Sequence, residues 1–192
     1  LKYGIELREF KLDSEVLMSR HRKQLFIVEG ETEEVFLSEI LEVPGKIVIL
    51  NLWQENLKKH IAKYNKSNTF VVFDVDSLDP RKIETMCKNL QLLKEMKLLA
   101  GLMQQTENFE EELIRCCRHI KSAQKLCDVF GAVSLSEFKN KFISTGGKSI
   151  KKLNDHGFNR ELLWTGQLIP ELKEYKTYQV THNHLKRKKI IS

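Results

Sequence analysis

The chain has 192 residues, enough for one α/β domain with a buried core plus a short extension and too few for two domains of ordinary size. Hydrophobic residues make up 41% and charged residues 30%, with 3 Pro and 9 Gly, which excludes collagen-like, low-complexity and disordered classes. Lys and Arg number 32 against 26 Asp and Glu, a net charge of +6 that is compatible with a polyanionic partner without requiring one.

Residues 1–22 alternate charged and apolar positions, so Ile5, Leu7 and the stretch to Leu12 are expected to form a leading strand or arm rather than a signal peptide. No apolar run approaches the roughly 18–20 residues of a membrane span. Cys87, Cys116, Cys117 and Cys127 match neither a C-x-x-C pair nor a zinc spacing. Free thiols in a cytoplasmic protein with no membrane contact are the expectation.

Gln24–Val28 is a short apolar run that breaks at Glu29-Gly30, after which Phe36, Leu37, Ile40 and Leu41 recur at helical spacing. Pro44-Gly45 closes that helix, Lys46–Leu50 supplies a second β-branched run, and Leu57, Ile61 and Tyr64 predict a helix up to Asn65. Thr69–Phe73 is a third strand that runs into Asp74-Val75-Asp76. Asp79-Pro80 reads as an N-cap with proline at the first helical position, opening a helix with Ile83, Cys87 and Leu90 on one face. A fourth strand is expected over about residues 97–103, followed by Asn108 as N-cap with Glu111 at capping-box spacing.

Four apolar strands separated by helices predict an α/β fold, a mostly parallel four-stranded sheet flanked by helices over residues 23–122. Residues 123–192 read as a helical extension with patterns at Leu135, Phe138, Phe142, Leu162 and Leu163, ending in a frayed basic tail, Lys186–Lys189.

In an open parallel sheet, ligands bind in the crevice at the carboxyl ends of the strands. Glu29 closes the first strand, and Asp74 and Asp76 close the third, where alternate residues of an extended chain share a face. Gathered carboxylates repel one another unless a cation neutralises them, and hard oxygen ligands suit Mg²⁺ or Mn²⁺. Glu33 begins the helical stripe of Phe36, Leu37 and Ile40 that faces the sheet, so it is either a fourth ligand or an ordinary first-turn acid favoured by the helix dipole. Asp79 is accounted for by capping, with a supporting role at the site as the alternative. Glu110 follows the fourth strand beside the same crevice and is a candidate orienting or second-metal group.

The run Phe26-Ile-Val-Glu-Gly-Glu-Thr-Glu33, followed by Val72-Phe-Asp-Val-Asp76 and Asn108-Phe-Glu110, resembles the Toprim domain. More narrowly it is similar to the RloB-like and OLD-family nuclease group, often associated with bacterial antiphage loci. The resemblance covers about residues 24–120. It implies Glu29, Asp74 and Asp76 as metal ligands, Glu33 as the additional acid of nuclease-type members, and Mg²⁺-dependent phosphodiester chemistry on DNA or RNA. RloB-like proteins usually carry a proline and a tryptophan near the Asn-Phe-Glu segment, and this sequence has neither there. The resemblance also implies an antiphage setting and a separate ATPase partner. A noncatalytic Toprim-scaffold subunit binding nucleic acid or protein is the alternative, and a small-molecule phosphohydrolase a third.

An acidic site repels phosphates, so Lys139, Lys141, Lys148, Lys151, Lys152 and the tail are candidates for a steering surface, or else a solvated face. Gly146-Gly147-Lys148-Ser149 lacks the upstream glycine of a P-loop and reads as a helix-breaking turn. Trp53 and Trp164 read as core aromatics, and His182 and His184 have no metal-ligand spacing.

Overall fold

The computed structural model describes residues 22–76 and 78–189, with the side chains of 186–189 left aside; apart from Arg22, the expected N-terminal arm lies outside this range. Four strands, β1 (Lys23–Val28), β2 (Lys46–Ile49), β3 (Ser67–Phe73) and β4 (Leu99–Gln104), form one all-parallel sheet in the order β2-β1-β3-β4. All four strands of the sequence reading are present at nearly the expected bounds. The near-continuous apolar character of β1, β3 and β4 follows from burial on both faces, whereas the edge strand β2 is partly exposed.

Among the described residues, seven α-helices flank the sheet: α1 (Glu31–Val35), α2 (Pro80–Glu95), α3 (Phe109–Cys116), α4 (Ala123–Phe130), α5 (Leu135–Thr145), α6 (Ser149–Asp155) and α7 (His182–Lys189). The caps read from sequence are formed: Asp79 Oδ1 accepts from the Arg81 and Lys82 amides, and Asn108 Oδ1 accepts from the Glu111 amide. Helix α1 widens into a π-helical turn over Phe36–Ile40, which ends where Leu41 N–H reaches the Phe36 carbonyl.

The helix expected up to Asn65 is instead two 3₁₀ turns, Leu57–Lys59 and Ile61–Lys63. The buried Asn89 of α2 explains the difference: its Oδ1 accepts from Leu57 N–H, and its Nδ2 donates to the carbonyls of Leu52 and Glu55. A side chain from another element thus pairs backbone groups over 52–57 and pins the chain where these turns begin. The expected frayed tail is also corrected, because its backbone continues as α7. The Leu185 side chain is buried, and His184 Nδ1 accepts from Thr181 N–H at the helix start.

One face of the sheet carries α1, α3, α4, α5 and α6 around Phe26, Phe36, Phe109, Phe138, Phe142 and Trp164, so the extension shares its core with the sheet. The other face carries α2, the 3₁₀ turns and a long 3₁₀ segment, Pro170–Tyr178. Between them the chain wraps the β4 edge: Gln104 donates to the Gln167 carbonyl and accepts from Ile169 N–H, and Val180 N–H reaches the Leu102 carbonyl. Gly101 permits this approach, since a Cβ there would stand 2.6 Å from the Phe70 ring and 2.7 Å from Val180. The Gly146-Gly147 turn ends α5 as expected, with Gly146 at φ 56° and the Gly147 amide held by Glu39 Oε2 at 2.7 Å.

Candidate metal centre at the sheet switch point

In the order β2-β1-β3-β4, the chain goes from β1 to one side and then crosses to the other, so the topological switch lies between β1 and β3. Glu29 and Asp74 are the first residues beyond these two strands. They touch: Asp74 N–H donates to Glu29 Oε1 at 3.0 Å. Asn51, just past β2, donates from Nδ2 to the other Glu29 oxygen at 2.9 Å. Gln105, just past β4, is tied to β3 by its amide and turns its side chain to Glu33, whose charged form it favours. Every strand of the sheet therefore contributes a polar side chain at its carboxyl end.

Glu33 projects from α1 toward the sheet, as its helical phase predicts, and is 7% exposed. Glu110 in the first turn of α3 is 3% exposed and forms an ion pair with Lys139 Nζ of α5 at 3.0 Å. Asp76 is exposed at the rim, where Asn108 Nδ2 donates to it. Asp79 is an exposed cap, fully engaged at the start of α2. A cleft of about 300 Å³ opens on Glu29, Asn51, Trp53, Asp74, Asp76 and Lys82, while Glu33 and Glu110 lie behind it, outside its lining.

The electrostatics show that these acids act on one another. Burial, and after it the charge of Glu33, pushes Glu29 up to about 7 against the favourable Asp74 amide. Burial again leads for Asp74, reinforced by Glu33, Glu29, Asp76 and Glu110, and raises it to about 9. Burial raises Glu33 too, with Lys139 and Gln105 favouring its charged form. For Lys139, burial works against the ammonium, yet Glu110, Glu33 and Asp74 outweigh it and hold the group above its ordinary value.

Among the described residues, no set of three His, Cys, Asp or Glu side chains stands closed around a point where an ion would sit. Both Glu29 oxygens are turned to nitrogen donors, Asn51 and the Asp74 amide. The donor set nevertheless fits a hard divalent cation: it is all carboxylate oxygen, its members raise one another's proton affinity, and Asp74 Oδ1 is buried without a hydrogen-bond partner. Glu29, Asp74 and Asp76 could hold such an ion at the cleft.

Two contributors, Asn51 and Gln105, escaped the sequence reading, and a third, Lys139, was not singled out from its neighbours. Asn51 and Gln105 are amides in loops, recognisable only by standing one or two residues past a strand. Lys139 was one of five candidate steering lysines, and the structure separates them. Lys141 is engaged by Glu137 and the Gly131 carbonyl, Lys152 lies over the Phe130 ring, and Lys148 and Lys151 are exposed. Trp53 and Trp164 are buried core residues, as expected.

No family model, curated protein or solved structure matches this chain. The Toprim resemblance rests on the short runs Phe26–Glu33, Val72–Asp76 and Asn108–Glu110.

Proposed function

We propose that the chain is a Toprim-like, divalent-metal-dependent nuclease that hydrolyses phosphodiester bonds of DNA or RNA. The observation that carries this reading is the meeting of Glu29 and Asp74 at the switch point of a parallel sheet, with Glu33, Asp76 and Glu110 close enough to raise the proton affinity of Asp74. When bound at Glu29, Asp74 and Asp76, Mg²⁺ or Mn²⁺ supplies Lewis acidity toward a phosphodiester oxygen and makes water a stronger nucleophile at neutral pH.

The protein's own groups prepare that chemistry. Asn51 fixes the Glu29 carboxylate so that it need not reorient when ligated. Asp76, exposed at the rim, is the ligand most accessible from solvent. Lys82 at the cleft wall gives an incoming phosphate a cationic neighbour. Glu33, whose proton affinity burial raises against the opposing pull of Lys139 and Gln105, adds a further acid next to the two strand ends.

Hydrolysis rather than a tyrosyl intermediate is supported by Tyr64 and Tyr175, which are buried in the core away from this cleft's lining. An antiphage setting and a cooperating ATPase belong to the same proposal through the resemblance, and cytoplasmic residence through the four free thiols. No helix among the described residues is long and apolar enough to cross a membrane.

The test is cleavage of single- and double-stranded DNA and RNA with Mg²⁺ or Mn²⁺, comparing the native chain with Glu29→Ala and Asp76→Ala. Metal-dependent cleavage lost in both variants is the expected result. Cleavage unchanged by either substitution overturns the assignment. Tight nucleic-acid binding with no cleavage under any metal condition favours the noncatalytic scaffold.

A further inference from the structure

The carboxylate cluster has two unlike halves. Glu29, Asp74 and Asp76 face an open cleft, whereas Glu33 and Glu110 are buried behind it at 7% and 3% exposure. Only the front half lines the open cleft of about 300 Å³, the setting that suits an ion such as Mg²⁺, which dehydrates reluctantly and keeps several waters. The rear half is already served by a cation of the chain itself: Lys139 Nζ lies 3.0 Å from Glu110 Oε1 and favours the charged form of Glu33. That ammonium is delivered from α5, anchored on both sides by the buried Phe138 and Phe142. Gln105, 2% exposed, turns its side chain to the same Glu33, and its Oε1 has no hydrogen-bond partner.

We infer that Lys139 is a resident counter-ion occupying the second cation position of this centre, so that the chain takes one divalent ion, at Glu29, Asp74 and Asp76, and an ammonium does the work of the other. This rests on the metal reading above and goes beyond it by fixing the stoichiometry. A lysine is a monovalent donor of hydrogen bonds and no Lewis acid, so the rear half balances charge and donates protons in hydrogen bonds without activating water. Removing the ammonium leaves Glu33 and Glu110 as buried, uncompensated acids, and a divalent ion then becomes their best remaining partner.

The experiment counts Mn²⁺ bound to the full chain by room-temperature EPR of free Mn²⁺ and by titration calorimetry, for the native protein, Lys139→Met and Lys139→Arg. One ion per chain in the native protein and in Lys139→Arg, rising to two in Lys139→Met, is expected. The partly exposed position of Lys139 favours folding of the variants, which circular dichroism checks, and Lys139→Arg retains the charge if Lys139→Met fails to fold. Two ions in the native chain overturn the counter-ion role while leaving the metal reading intact, as does a Lys139→Met protein that still binds one. No ion bound by the native chain overturns both.

Discussion

Asn51 holds Glu29 by the oxygen that the Asp74 amide leaves: Nδ2 donates to Oε2 at 2.9 Å while Oε1 takes the Asp74 N–H at 3.0 Å. One carboxylate thereby joins the carboxyl ends of three adjacent strands, β2, β1 and β3. Its orientation is set before any ligand arrives, which is how outer hydrogen bonds tune a metal ligand.

Asn51→Ala should accordingly lower Mn²⁺ affinity by about 10–100-fold, the usual effect of removing such a partner. Asn51 Oδ1 also accepts from Trp53 N–H, so a loss of about 1 kcal/mol in stability is expected alongside. Manganese titration together with urea unfolding separates the two effects. An unchanged affinity would show that the Asn51 contact does not orient Glu29.

The metal-free chain should lose stability as pH rises from about 5 to 9. Glu29 and Asp74 have native values, about 7 and about 9, above their ordinary 4.5 and 3.8, so the folded state binds more protons than the unfolded state across this window. Their contribution is whole below pH 4 and is lost as pH climbs through the native values. A divalent ion competes with those protons, so its stabilising effect should grow over the same range. At a hundredfold excess over Kd it amounts to about 2.7 kcal/mol, or roughly 5–11 °C in Tm for a chain of this size. Scanning calorimetry at several pH values, with Mg²⁺ and with EDTA, reads both trends; a metal effect that shrinks with pH refutes the account.

Asp74→Asn removes a carboxyl whose ionisation is opposed by burial and by four neighbouring acids, and which at pH 8 must take up a proton on folding. At pH 8 the metal-free variant should melt higher than the native chain by roughly 2–4 °C, equivalent to about 1 kcal/mol. Its response to Mn²⁺ should disappear. A variant that melts lower, with Mn²⁺ still stabilising it, would remove Asp74 from the ligand set.

Glu112 is the buried hub that fastens α3 to the extension. Its carboxylate accepts from the Thr106 amide and hydroxyl, from Trp164 N–H at 2.6 Å and from Arg115 at 2.7 Å. Trp164 sits at φ 58°, a left-handed conformation that costs a non-glycine residue about 1–3 kcal/mol and that this contact holds in place. Glu112→Ala should cost about 3–5 kcal/mol by leaving the Thr106 and Trp164 amides unmatched and taking from Arg115 its charged partner, measured as a shift of the urea midpoint. A cost below 1 kcal/mol would mean that water replaces the carboxylate there.

Gly101→Ala tests the wrap around β4. The new methyl meets Phe70 and Val180 at under 3 Å, and overpacking of this kind costs about 1–3 kcal/mol. Faster amide exchange at Val180 is expected, because its N–H bond to Leu102 would be the first lost. Unaltered exchange would show that the sheet yields instead of the wrap.

The strands were legible because β1, β3 and β4 are buried on both faces and so read as unbroken apolar runs, while the partly exposed β2 is marked by its β-branched residues. Glu33 was legible through the phase of Phe36, Leu37 and Ile40, and Asp79 and Asn108 through capping chemistry that acts within three residues. What failed to show was whatever depends on contacts between distant segments. The 3₁₀ turns at Leu57–Lys63 are imposed by Asn89, some thirty residues on, and local periodicity carries no trace of it. Glu112 hid in a run of three glutamates whose burial differs only through packing: Glu110 and Glu112 point inward and Glu111 does not. Lys139 has the chemistry of any surface lysine until α5 is docked.

That docking ties the fate of the helical half to that of the sheet. Were α5 to lift away, Glu110 and Glu33 would forfeit their ammonium while still enclosed by apolar walls, so a half-opened molecule is penalised twice, in lost aromatic contacts and in stranded charge. Melting should therefore proceed as a single cooperative event, and proteases should find few nicking sites in the native ensemble short of global collapse.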